Sequence, residues 1–190
     1  MHDFIDPEMG KAIPYGVYDL GADEGWVSVG DDADTAGFAV ATISRWWAQM
    51  GRLRYPDATR LLVCADAGGS NGYRIRAWKV ELAKARQSDR PRDHGLSLPA
   101  RHLQVEQDRA PALQLHHDEL ARSPAHLLPG HVQLIANTTT KKGLEVNAEL
   151  DQGHYPTGVK VTDKELSAVP LTRHEFQGAW NYTVHPQELK

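Results

Sequence analysis

The sequence predicts an α/β fold, a mixed sheet flanked by helices, on three observations. Two short strand-like runs, residues 16–20 and 25–30, are separated by the turn-forming string Gly-Ala-Asp-Glu, which suits a hairpin. Val40, Ile43, Trp47 and Met50 then recur at spacings of three, four and three, the apolar stripe of one helix face. Arg-Leu-Leu-Val-Cys-Ala-Asp at residues 60–66 is a short apolar run. It carries one carboxylate, Asp66, to its end, beside the glycine-rich string Ala-Gly-Gly-Ser-Asn.

The remaining elements follow in order. Asp34 or Thr35 supplies a side-chain oxygen to cap the first helix. Gly51 stands where that helix is expected to stop. After Asn71, the residues Ile75, Trp78 and Leu82 mark a second helix whose other positions carry Arg74, Arg76, Lys79, Lys84 and Arg86. A further helix is expected over residues 132–139, and residues 144–150 alternate like a strand. The end of the chain reads as a polar tail closing on Trp-Asn-Tyr-Thr-Val. Trp26, Trp46, Trp47 and Trp78 are most simply core and core-edge aromatics.

A chain of 190 residues makes one domain, or one with an appendage, and 41% hydrophobic residues can bury a real core. The formal charge of -4 excludes a wholly basic nucleic-acid-coating protein but permits a local basic face. Cys64 is the one cysteine, so a disulfide framework is excluded and a reducing compartment fits. With no leader and no membrane-length apolar run, a soluble cytoplasmic protein without membrane partners is expected. Composition is uneven, however. No aromatic residue lies between Trp78 and Tyr155, and residues 88–131 hold six of the ten histidines and five of the eleven prolines. That segment does not read like the sequence on either side of it.

Three features carry possible chemistry. Open α/β sheets place ligands at the carboxyl ends of their strands, so Asp66 suits a hard metal ion and phosphoryl transfer; the plain alternative is a turn in which Asp66 and Asn71 only cap. The basic residues of 73–86 could follow a phosphate backbone, or form an ordinary solvated face. His94, His102, His116, His117, His126 and His131 have no zinc spacing and no cysteine or HExxH partner, which argues against a zinc site.

Several strings together resemble the DDE transposases of bacterial insertion sequences, specifically the Rhodopirellula-type transposase family. They are IPYGVYDL, EGWVSVGDDADTAGFAV, RWWAQMG, LLVCADAGGSNGYRIRAWKVEL, LIANTTTKKGLEVNAELD and WNYTV, covering residues 1–86 and 132–184. The resemblance implies a ribonuclease-H-like fold in which two Asp and one Glu gather two divalent metals, Mg²⁺ or Mn²⁺. These activate water and then a 3′ hydroxyl for attack on DNA. Asp66 matches the second acidic residue, a catalytic and metal-binding position. The helix after it, with Arg74, Arg76 and Lys79, matches one that lies beside the active site. The implied partners are terminal-repeat DNA and possibly a second copy.

Two departures set this chain apart from the family pattern. The first catalytic Asp belongs to a strand upstream of where the match begins, and the string that carries the Glu, of the type CHxPPGTSKWNxIEHRLFS, is missing. Residues 96–115, LSLPARHLQVEQDRAPALQL, can nevertheless be encoded so that reading one base later gives CHYPPGTSKWNKIEHRLFS. The flanking residues re-read the same way, as AITV before and YITMNWRGHPP after. This predicts a double change of reading frame, at about residues 85–91 and 126–132, with the Glu codon straddling Arg109 and Ala110. Glu106, Asp108 and Glu119 lie near the lost Glu in sequence but are not expected to replace it. The expected organisation is therefore 1–86, the N-terminal part of a ribonuclease-H-like domain; 87–131, an irregular frameshifted segment; and 132–190, the C-terminal part. The expected activity is that of an inactive transposase fragment. The alternatives are a non-catalytic DNA-binding or regulatory remnant and an unselected pseudogene product.

Overall fold

A computed structural model describes residues 12–65, 68–87, 102–106 and 145–186. The chain divides into two compact units, Met1–Asp34 with Ala112–Tyr155, and Thr35–Pro111 with Pro156–Lys190. The expected helix at 132–139 lies outside the described residues.

The first unit holds a three-stranded sheet. Strands β1 (Ile13–Asp19) and β2 (Glu24–Gly30) pair antiparallel from Ile13↔Gly30 to Asp19↔Glu24, forming the expected hairpin. Its turn is fixed by Asp19, whose carboxylate accepts the Gly21 and Ala22 amides at 2.9 and 3.2 Å. At the same turn, the Tyr18 hydroxyl donates to Asp23, and that bond raises the Tyr18 pKa. Strand β5 (Glu145–Asp151) adds to β2 in parallel, giving the order β1-β2-β5. Ala12 and Val29 are buried here, with Val27 and Leu150 packed on them.

The second unit is an α/β layer. Helix α1 (Ala36–Trp46) starts at Thr35, whose hydroxyl accepts the Phe38 amide. The helical path does not stop at Gly51. It widens into a π turn over Trp47–Gly51 and runs on through Arg52–Arg54, with Gly51 itself in the right-handed region at φ −58°. Gly51 is there for space: a Cβ on it would lie 2.5 Å from the Trp47 ring and 3.2 Å from that of Trp46. A helix-stopping glycine and a packing glycine look alike in sequence.

Strand β3 (Arg60–Cys64) leads through a 3₁₀ turn at Gly69–Asn71 into helix α2 (Arg76–Gln87). Strand β4 (His102–Glu106) lies parallel to β3, inside the segment expected to be irregular. The alternation of Leu103 and Val105 with polar neighbours is enough for a strand, whatever the frame that encodes it. The supposed polar tail supplies the centre of this layer: β7 (Tyr182–Val184) pairs antiparallel with β4 on one side and with β6 (Leu171–Arg173) on the other, in the order β3-β4-β7-β6. Tyr182 and Val184 are fully buried together with Trp78, Leu82 and Phe38, and α2 packs against both α1 and β7. The tryptophans expected in the core, Trp26, Trp46, Trp47 and Trp78, are all buried.

Helix α3 (Asp163–Ser167) is closed by a capping box, in which Thr162 accepts the Glu165 amide and Glu165 accepts from the Thr162 amide and hydroxyl. These bonds, from the Thr162 amide first, hold the Glu165 carboxyl below its ordinary value. A depressed acid stabilises the fold above its unfolded pKa, and that contribution is lost as pH falls through the folded value. Thr162→Ala is expected to cut amide-exchange protection at Leu166 and Ala168 by roughly fivefold, the cost of one lost cap. Lowering the pH through the acid range should have the same effect in the parent chain. Unchanged protection in both experiments would show that the box contributes nothing.

Candidate nucleic-acid interface

Strand β3 ends at Cys64, and Ala65 beyond it is buried. Asp66 and Ala67 lie outside the described residues, so the position of that carboxylate is not part of the geometry. Beyond them, Gly68 is extended and Gly69 sits at φ +48°, the left-handed region that glycine enters without strain. Ser70 and Asn71 are buried in the turn that follows. Among the described residues no three His, Cys, Asp or Glu side chains converge as a metal would need. The histidines of residues 88–131 have no described side chains.

The three cations expected to face DNA have different surroundings. Arg74 is exposed, with its Nε donating to the Tyr73 hydroxyl at 2.8 Å and its guanidinium 5.2 Å from the centre of the Tyr73 ring. Arg76 is tied to the start of α3, with Nη1 2.6 Å from the Asp163 carboxylate and 3.3 Å from the Val161 carbonyl. Lys79 is only 6% exposed. Its ammonium donates to the Tyr73 carbonyl and lies 5.3 Å over the Tyr182 ring, and burial, with Arg173 adding, pushes its pKa down. The same burial pushes the Tyr182 hydroxyl far up. Within six positions around the start of α2 the chain thus carries an exposed guanidinium, a paired one and a buried ammonium. Spacing alone could not separate them, because the Lys79 stem and the Arg74 stem leave the helix region only five positions apart.

Two further features had no sequence signal. Arg60, Leu61, Leu62, Thr172, His174, Thr183 and His185 line a groove of about 490 Å³. In it, His174 Nε2 meets the Thr183 hydroxyl and His185 Nε2 meets the Thr172 hydroxyl, each at 2.8 Å. The other is Arg86, 7% exposed, whose Nε, Nη1 and Nη2 atoms have no hydrogen-bond partner among the described residues. In the first unit, by contrast, the buried Asp151 is satisfied by the Gly153 amide and the Tyr155 hydroxyl, both at 2.8 Å.

The family profile described as Rhodopirellula transposase DDE domain matches residues 1–90 and 123–186. The chain belongs to that family. No curated protein and no solved structure matches it. The transposase profile breaks off over residues 91–122, inside the aromatic-free stretch that carries the excess of histidine and proline. DDE transposases as a class bind DNA and use divalent metals. No helix among the described residues of this transposase chain is long and apolar enough to cross a membrane.

Proposed function

We propose that this chain is the ribonuclease-H-like DDE domain of an insertion-sequence transposase that does not cleave or transfer DNA, because its central segment is read in a shifted frame. Asp66 matches the position of the family's second acidic residue by resemblance, and it is the one member of the family's three carboxylates that this sequence retains in a matching string. The observation that carries the reading is the interruption of the family match at residues 91–122, between two long matched stretches. Arg86 supports it from the packing side: a buried guanidinium with no partner among the described residues stands at the point where the frame is proposed to change. The catalytic Glu would then be encoded but not translated, and no step of strand transfer is assigned to this chain's residues.

Two experiments test the proposal. The gene over codons 92–125 should spell the family string one base later; any other spelling removes the frame argument. The purified chain with terminal-repeat DNA and Mg²⁺ should show no strand cleavage or transfer, and activity above background would overturn the inactive reading.

A second reading, a cytoplasmic non-catalytic DNA-binding remnant, is favoured by Arg74, whose guanidinium faces solvent beside an aromatic ring. DNA retention at low salt should fall in Arg74→Ala, with the salt slope reduced by about one phosphate contact, and be unchanged in Asp66→Ala. Equal retention by Arg74→Ala and the parent chain would remove Arg74 from the interface. A third reading, an unselected pseudogene product without a stable fold, predicts no cooperative unfolding transition, so a sharp transition counts against it.

A further inference from the structure

Phe176 is the one exposed aromatic ring among the described residues, with 66% of its surface open. It stands in the loop between β6 and β7, and the loop is held by its own backbone. The His174 amide donates to the Asn181 carbonyl at 3.1 Å, and the Trp180 and Asn181 amides both donate to the Gln177 carbonyl, at 3.0 and 2.9 Å. Arg173 reaches across with Nη1 2.7 Å from the Gly178 carbonyl. Gln177 sits at φ +53°, a left-handed conformation that residues with side chains seldom adopt. Gly178 closes the loop on its own start: a Cβ there would lie 2.6 Å from the His174 carbonyl oxygen. Trp180, half-buried, meets Phe176 edge to face, with ring centres 5.9 Å apart at 83°. A mobile loop would let an apolar ring turn inward; this one keeps the ring in water.

Strained backbone that holds an aromatic ring outward points to a ligand for that ring. We propose that Phe176 is a stacking platform for an unpaired DNA base, with Arg173 taking the adjoining phosphate. This deepens the DNA-binding reading above and rests on it. A ring two-thirds exposed has a face open to solvent, every nucleobase has a flat face to lay on it, and a ring already fixed in place loses little freedom when it binds. The charge beside the loop is cationic. Arg173 is exposed at the stem, and its field adds to the lowering of the Lys79 pKa; Lys79 in turn is bonded to the Tyr73 carbonyl, next to the exposed Arg74. Glu175 is the one carboxylate of the loop. Bases inside a duplex are stacked on one another, so the platform selects a single-stranded or frayed end over a blunt one.

The test compares two duplexes of the same paired sequence, one blunt and one with a short single-stranded end carrying 2-aminopurine. At low salt the full chain is expected to bind the second about tenfold more tightly and to quench its 2-aminopurine fluorescence. Phe176→Ala should remove both the preference and the quenching while leaving the blunt duplex bound as before, and Phe176→Trp should keep them. Arg74→Ala should weaken both duplexes alike. An unchanged denaturant midpoint checks that Phe176→Ala, at an exposed position, is folded. Equal binding of the two duplexes by the parent chain, or a preference that survives Phe176→Ala, overturns the platform and leaves the Arg74 interface standing. A Phe176-dependent preference with no effect of Arg74→Ala does the reverse, and retention of neither duplex overturns both. Phe176-dependent self-association without a preference for the single-stranded end would make the loop a protein contact and overturn the platform as well.

Discussion

Replacing Arg86 with methionine is expected to raise the stability of the chain by about 1–4 kcal/mol, the range of gains when buried ionic groups give way to well-packed apolar ones of similar volume. Trp78, Leu82 and Arg86 follow one another at four-residue spacing, with Ala83 alongside, on the buried face of α2. The first two are apolar. Arg86 continues the same stripe with a guanidinium that is 7% exposed and, among the described residues, has no acceptor at Nε, Nη1 or Nη2. Burial pushes its pKa down, and because this is a base whose folded value is lowered, the penalty is fully present at neutral pH. It would ease only as pH climbed through the folded pKa. A position in the last turn of a helix returns about 0.3–1 kcal/mol through the helix dipole, which is smaller than the several kcal/mol needed to desolvate a cation. The measurement is a denaturant titration, in which the midpoint should rise at constant slope. Arg86→Lys keeps the charge and should bring no gain. If Arg86→Met instead loses stability, the guanidinium is paired, and Arg86 no longer supports a frame change beginning beside it.

The sequence was most legible where a pattern extended over several residues facing one core. Strands β1 and β2 were readable as two short runs around a Gly-Ala-Asp-Glu turn, β5 because its residues alternate, and α1 because Val40, Ile43 and Trp47 repeat on one face. Strands β6 and β7 were not, since three residues each carry no period. Tyr182 and Val184 are buried because two strands flank them, a tertiary fact that a short window cannot contain. Strand β4 was hidden for a different reason: the segment around it has no aromatic residue and an excess of histidine and proline, while its own five residues alternate normally. At the candidate interface, the residue types were legible but their surroundings were not. Lys79 and Arg74 are both basic residues near the start of α2, and only packing decides that one ammonium is spent on the Tyr73 carbonyl while the other cation faces solvent.

Gly51→Ala should lower stability by about 2–3 kcal/mol, much more than a glycine-to-alanine change in a helix ordinarily does. On backbone grounds alone the substitution should help, because alanine is favoured over glycine in a helix by roughly 1 kcal/mol and Gly51 already has helical angles. The opposing term is steric. The added methyl would lie 2.5 Å from the Trp47 ring and 3.2 Å from that of Trp46. Neither ring has room to yield: both indoles are buried, and they pack on each other with ring centres 5.9 Å apart. Overpacking at such a site costs about 1–3 kcal/mol and outweighs the propensity gain once the rings must shift together. The π turn at Trp47–Gly51 fits this account, since the widened turn lets two consecutive tryptophans both face inward, and the glycine leaves the space that the second one fills. The check is a pair of variants. Gly51→Ala in the parent chain should be destabilised, and Gly51→Ala combined with Trp47→Leu should recover part of the loss, giving a coupling of at least about 1 kcal/mol in the double-mutant cycle. Additive effects would show that the glycine serves the backbone, as a helix stop would, and not the indole beside it.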